Sequence, residues 1–127
     1  MATNTAVPFW DEGNTITCHA SAAVTGKRFV TISGARVEGN PRVAHAAGTA
    51  TTKALGVSGY DAASGAKVSV YSAPGIVMPV TVAGAITAGD DVYSDADGKA
   101  TATVTGLIVG IALDDAAQDT DAPIKLV

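Results

Sequence analysis

Val109-Gly110-Ile111-Ala112-Leu113-Asp114-Asp115-Ala116-Ala117 restates an earlier pattern, Leu55-Gly56-Val57 followed by Asp61-Ala62-Ala63. The correspondence extends outward on both sides. Ala23-Val24-Thr25-Gly26 followed by Phe29-Val30 answers to Ala85-Ile86-Thr87-Ala88-Gly89 followed by Val92-Tyr93. Gly48-Thr49-Ala50-Thr51 answers to Gly98-Lys99-Ala100-Thr101. Each copy closes on an alternating stretch, Ala66-Lys67-Val68-Ser69-Val70 in the first and Ala122-Pro123-Ile124-Lys125-Leu126 in the second. Residues 23–70 and 85–126 therefore read as two diverged tandem repeats. A solenoid needs at least about three copies to bury a core, so two short units must close on one another.

The 127 residues are enough for one domain with a modest core. Glycine, alanine, valine and threonine dominate, and aromatic residues are scarce. Alanine favours helices, but no stretch keeps an apolar 3.6-residue period for three turns, and β-branched residues suit a pleated sheet. The expectation is an all-β fold: one compact, barrel-like domain over residues 13–127 and an extended N-terminal arm over residues 1–12.

Within that domain Asn14–Ala20 alternates, with Ile16 and Cys18 on one face. Arg28–Ile32 is a second strand ended by Ser33-Gly34, and Glu38-Gly39-Asn40-Pro41 is a turn. Arg42–Ala46, Lys53–Ser58 and Lys67–Ser72 complete the first copy, with Val68 and Val70 inward. Pro79 makes Ile76–Val82 an edge strand or the bridge between copies, because proline removes a ladder donor. Leu107–Leu113 is nearly continuous in apolar residues and is expected to be the most buried strand. Asp61–Ser64 and Asp114–Ala117 are candidates for single helical turns capped by aspartate.

The formal charge of −4 is unevenly spread. Through Gly84 there are six Lys/Arg against four Asp/Glu; beyond it, two Lys against eight Asp. An acidic half argues against nucleic acid as a partner, since phosphate binding needs a basic face. The acidic half serves either as solvated surface or as a complementary contact to a basic half. Met1–Thr5 lacks the basic and apolar regions of a signal peptide, and no run is long enough to span a bilayer. The lone Cys18 rules out an internal disulfide framework. The reading is a soluble protein made in a cytoplasm, with no membrane partner.

No catalytic, metal or cofactor site assembles. His19 and His45 are the two histidines, and Cys18 and His19 point to opposite faces of a strand. Gly56-Val57-Ser58-Gly59 lacks the final glycine of a nucleophile elbow, since residue 60 is Tyr60, and its twin Gly110-Ile111-Ala112-Leu113 has no serine. Asp95-Ala96-Asp97-Gly98 fails as a calcium loop, because the flanking ligand positions are Tyr93 and Val104. Gly26-Lys27 and Gly98-Lys99 lack the upstream glycine of a phosphate loop. What stands out instead is Pro8-Phe9-Trp10-Asp11-Glu12, an apolar cluster at the end of a polar arm. Its aromatic residues are either core or an intermolecular anchor.

Gly89-Asp90-Asp91-Val92-Tyr93, then Gly106-Leu107-Ile108-Val109-Gly110-Ile111-Ala112-Leu113-Asp114-Asp115-Ala116-Ala117 and a closing strand, behind a polar arm, resemble the capsid decoration (cement) proteins of tailed bacteriophages. The match is best over Ala83–Val127 and weaker over Val24–Val70. The resemblance implies a β-barrel or β-tulip domain, often trimeric, docked on the outer surface of an icosahedral shell and stabilising it by bridging capsomers. It implies the major capsid protein as partner and no catalytic residues. By position, residues 2–12 would be the arm that orders on the shell, with Pro8, Phe9, Trp10, Asp11 and Glu12 as contacts. The competing class is a carbohydrate-binding or adhesion β module, which would need several aromatic rings on one face.

Overall fold

A computed structural model describes residues 3–6 and 13–127, which contain ten strands and no helix. In the first half these are β1 (Thr15–Ala20), β2 (Phe29–Val37), β3 (Asn40–His45), β4 (Gly56–Ser58) and β5 (Lys67–Tyr71). In the second they are β6 (Val77–Thr81), β7 (Asp91–Ser94), β8 (Ala100–Thr101), β9 (Gly110–Ala112) and β10 (Asp121–Leu126).

Strands β1–β5 close into a barrel in the order β1-β3-β2-β4-β5, and β6–β10 form a sheet in the order β6-β10-β9-β7-β8. With β6 in the place of β1, β7 of β2, β8 of β3, β9 of β4 and β10 of β5, the two orders are the same when read around the ring. The barrel closes where β1 runs parallel to β3, at His19–Arg42 and Ala20–Val43. The sheet keeps the corresponding parallel contact as a single bridge, Val82 to Ala100. The loops repeat as well. Val24 and Ala62 exchange two backbone hydrogen bonds of 2.8 Å, and Ile86 and Ala116 exchange two of 2.9 Å. The Gly26 N–H donates to the Asp61 carboxylate at 2.8 Å, and the Ala88 N–H donates to Asp115 at 2.8 Å. The Asp-Ala-Ala blocks are therefore bridge-and-cap devices. The expected helical turns do not form, because Ala62 and Ala116 are held in extended pairs.

The register corrects the sequence correspondence in three places. Val30 pairs with Gly56 and Val92 with Gly110, so Val30 matches Val92, one residue from the expected alignment. Ser58 pairs with Val70 and Ala112 with Ile124, so Val70 matches Ile124 and not Leu126. A strand pattern of period two looks the same after a two-residue slip, which hides this error in the sequence. Gly48-Thr49-Ala50-Thr51 sits in irregular chain and a turn, whereas Ala100 matches Val43 through the parallel closure. The Gly56–Gly110 match holds for a steric reason. A Cβ on Gly56 would run into the Tyr71 carbonyl oxygen; one on Gly110 would lie 2.5 Å from Ile124 Cγ2 and 2.7 Å from the Lys125 oxygen.

Other boundaries shift. The second strand does not stop at Ser33-Gly34: β2 continues to Val37 through two irregularities in register. The turn narrows to Glu38-Gly39, both with positive φ (50° and 80°), as a two-residue type I′ hairpin requires. Lys53–Ser58 contributes only Gly56–Ser58 to the ladder. Ile76–Val82 does supply an edge strand, β6. Pro79 stands opposite Pro123 there. The flanking bonds from the Val82 N–H to Thr120 and from the Leu126 N–H to Ile76, each 2.9 Å, make this a non-hydrogen-bonded pair of the β6–β10 ladder, so neither proline needs an N–H toward the other; Pro123 faces Leu113 instead, whose N–H it accepts without returning a bond.

Two cores result. Cys18, Ala20, Val24, Val30, Val43, Val68 and Val70 fill the barrel. Phe29, Ala46 and Val57 lie instead in a cluster with Val80, Val82, Val92, Ala112, Ala122, Ile124 and Leu126 from the second half. Alternation along β2 does this: Val30 points into the barrel, and Phe29 points out of it into the sheet. Burial pushes the Cys18 thiol up to about 11, so it stays protonated and inert.

Candidate docking surface

Ser58, the serine of the failed nucleophile elbow, is buried, and its hydroxyl donates to the Thr25 carbonyl at 2.7 Å. It braces a turn. The Asp95 carboxylate accepts the N–H groups of Asp97 and Lys99 at 2.9 and 2.8 Å, which makes the Asp95–Gly98 segment a self-capped acidic turn. Among the described residues no three metal-ligating side chains converge.

His45 is bound into the same scaffold. Its Nε2 accepts the Thr25 N–H at 2.9 Å, so the ring is neutral at that nitrogen. Burial holds its pKa below the ordinary value, and the Arg28 charge adds to this. A histidine whose folded pKa is depressed contributes stability above its unfolded value of about 6.5. That contribution is lost as pH falls toward the folded value. Thermal stability should therefore drop as pH falls below about 6.5. His45→Gln, which keeps an acceptor and cannot be protonated, should flatten that drop in a melting series. An unchanged slope would locate the titration elsewhere.

The charge asymmetry is partly consumed inside the chain. Lys27 in the first half reaches Asp121 in the second at 2.7 Å, and Asp121 also accepts the Thr81 hydroxyl. The Lys27 hydrogen bond holds the Asp121 carboxyl below the usual carboxylate range. Asp119 pairs with Lys99 at 3.2 Å. Asp90, Asp114 and Asp115 accept backbone N–H groups in their own or neighbouring turns.

The apolar surface is more informative. Leu107–Leu113 is not the most buried strand: only Val109, Gly110 and Ala112 are buried, while Leu107, Ile108 and Leu113 are 48, 42 and 50% exposed. The expectation assumed cover on both faces. In the fold, residues 102–109 are loop, pinned where Gly106 abuts the Thr49 carbonyl and where the Thr105 hydroxyl donates to Ser94 at 2.6 Å. From Gly110 the sheet carries the core on one face only.

On its other face lie Val77, Lys125 and Ile111 in one cross-strand row and Pro79, Pro123 and Leu113 in the next. Val77 and Leu113 are each about half exposed, and Pro79 is exposed. The repeat supplies an internal comparison. By register the matching positions in the first half are Thr15, Tyr71 and Val57, then Thr17, Ser69 and Gly59. Val57 is buried under the second half, and the remaining five matches are polar, tyrosine or glycine. The second half thus places five apolar side chains on this face, Val77, Pro79 and Leu113 exposed and Ile111 and Pro123 half-buried, where its twin shows mostly polar ones. Uncovered apolar sheet is the mark of an interaction surface.

A second apolar feature is a cleft of about 170 Å³ between the halves, with Leu55, Ser72, Leu107, Ile108, Leu126 and Val127 in its lining. Of the rings that would serve a sugar platform, Phe29 is buried, Tyr71 and Tyr93 are half-buried, and Tyr60 is exposed. No stacking face forms among the described residues. The expected contacts Pro8, Phe9, Trp10, Asp11 and Glu12 lie outside the described residues. Sequence reasoning missed the outer sheet face because its residues come from three strands, and only the register shows them as neighbours.

The sequence pattern of the phage cement protein family matches residues 10–126. Among solved structures, the head fiber gp8.5 N base in bacteriophage phi29 superposes with a TM-score of 0.71 at 22% identity, covering 89% of this chain and 92% of that one. At that identity the likeness speaks for the fold alone. No curated protein sequence matches the chain.

Proposed function

We propose that this chain, which belongs to the phage cement protein family, docks on the outer surface of a phage shell through the outer face of its second sheet and bridges neighbouring capsomers. The family makes it a structural, stabilising protein of the phage capsid. The finer reading rests on one observation: the apolar rows Val77–Ile111 and Pro79–Pro123–Leu113 stand uncovered where the repeat's first copy is mostly polar. The partner is the major capsid protein, met after synthesis in the host cytoplasm. A trimer suits the task, because a shell copies each contact many times and a multivalent subunit reinforces it.

The segment Pro8–Glu12 supplies a second contact at the end of a polar arm. Undecorated shells incubated with the protein should bind it on sedimentation and then resist heat to a higher temperature. Deleting residues 2–12 should leave the β core folded and weaken that binding without abolishing it. Shells that bind the protein and gain no stability would refute the bridging role. Equal binding by the truncated chain would remove the arm.

A further inference from the structure

We propose that Lys67, His19 and Arg42 form a docking row for carboxylates, and that its partner is the acidic loop pair of a second copy of this chain. The inference concerns the free protein and stands whether or not the shell reading holds. Register builds the row. His19 on β1 stands opposite Lys67 on β5 and, across the parallel closure, opposite Arg42 on β3. Their neighbours Val68, Cys18 and Val43 belong to the barrel core, so alternation turns these three side chains outward. Adjacent strands set them about 5 Å apart. Gly34 makes room for Arg42: a Cβ there would stand 3.2 Å from the Arg42 Cδ and 3.3 Å from its Nη1. The Arg42 Nε is buried with no hydrogen-bond partner, so packing over Gly34 holds the side chain in place.

The repeat shows such a row when it is satisfied. By the same register its twin in the second half is Asp121, Thr81 and Lys99. There Asp121 accepts the Thr81 hydroxyl at 2.9 Å and the Lys27 ammonium at 2.7 Å, and Lys99 pairs with Asp119 at 3.2 Å. Each charge in that row is matched inside the chain. The first row contains no acid, and among the described residues no carboxylate lies within ion-pair distance of it. The complementary surplus lies in the second half. Asp90 and Asp115 accept the Thr87 and Ala88 N–H groups at 3.0 and 2.8 Å, and Asp114 accepts the Asp115 N–H at 2.8 Å. Three carboxylates are thereby fixed on two loops bridged at Ile86–Ala116, again with no cation in ion-pair distance among the described residues. Each keeps lone pairs for a further donor. Row and loops do not pair within the chain, so they match between copies. The contact is head to tail, which closes into a ring where the rotation permits, and charge complementarity orients it.

Sedimentation equilibrium of the purified full-length protein, without shells, should show a mass that rises with concentration. Association should weaken several-fold between about 0.1 M and about 1 M salt, as the Debye length shrinks from about 10 to about 3 Å. Lys67→Glu and Asp114→Lys should each weaken it at least about tenfold, because each sets like charges face to face. Both positions are exposed, so the melting temperature should barely move. A mixture of the two variants should recover a single contact, between the intact loops of Lys67→Glu and the intact row of Asp114→Lys, and should stop at a heterodimer. A wild-type protein that stays monomeric at low salt would overturn the proposal, and that measurement needs no variant to fold. Association indifferent to both substitutions, or a mixture no larger than its components, would do the same. If Lys67→Glu spares self-association and lowers only binding to shells, the row belongs to the capsid contact instead.

Discussion

Phe29→Ala is expected to destabilise the protein by about 3–5 kcal/mol, a large share of the roughly 5–15 kcal/mol that holds a typical domain together. Phe29 is fully buried, begins β2, and packs among side chains of the second half. Its backbone ties the halves as well. The Phe29 N–H donates to Gly98 of the second half at 2.7 Å, while its carbonyl accepts the Ala46 N–H within the first half at 2.9 Å. The ring cannot be replaced by local collapse, because strands of two different sheets form its surroundings. Loss of stability should therefore appear as one earlier cooperative transition in urea, with the slope unchanged. Two separated transitions in the wild-type protein would show that the halves unfold independently. A cost below about 1 kcal/mol would show that the cleft side of the cluster closes over the gap.

That interlock was only half legible in the sequence. The duplication could be seen because Gly56 and Gly110 are sterically required and because Asp61 and Asp115 cap the same loop in each copy. Those residues carry backbone geometry, which leaves a trace in residue type. The register could not be seen to better than one or two residues, since period-two strands tolerate a slip without changing their pattern. The outward face of β9 and β10 was misread for a related reason. A run such as Leu107–Leu113 reads as buried on both sides, and residue type alone does not distinguish a covering core from a covering partner. Pro79 gave the opposite result: its missing N–H suits a strand with one unpaired side, and β6 is at an edge. Phe29 was legible as apolar but not as interfacial, because only the alternation of β2 against two separate cores decides which way it points.

Leu113→Asp should weaken binding to undecorated shells by roughly 30- to 900-fold, the range of about 2–4 kcal/mol found for central interface residues. Leu113 is half exposed and follows β9, where its N–H donates to Pro123. An aspartate there is fully hydrated in the free protein, so the melting temperature should barely move. On docking, the carboxylate would be stripped of water beside the apolar side chains of Pro123 and Ile111. The loss should appear in the dissociation rate. Raising salt should leave that rate unchanged, because the patch is apolar, while slowing association steered by Asp91, Asp121 and Lys125 around it. Thr17→Asp is the control on the corresponding row of the first copy, since Thr17 occupies the position of Pro79 there and is also exposed. If both variants weaken binding equally, the two faces share the contact and the polar character of the first copy is incidental. If neither does, the uncovered rows of the second sheet serve some partner other than the shell.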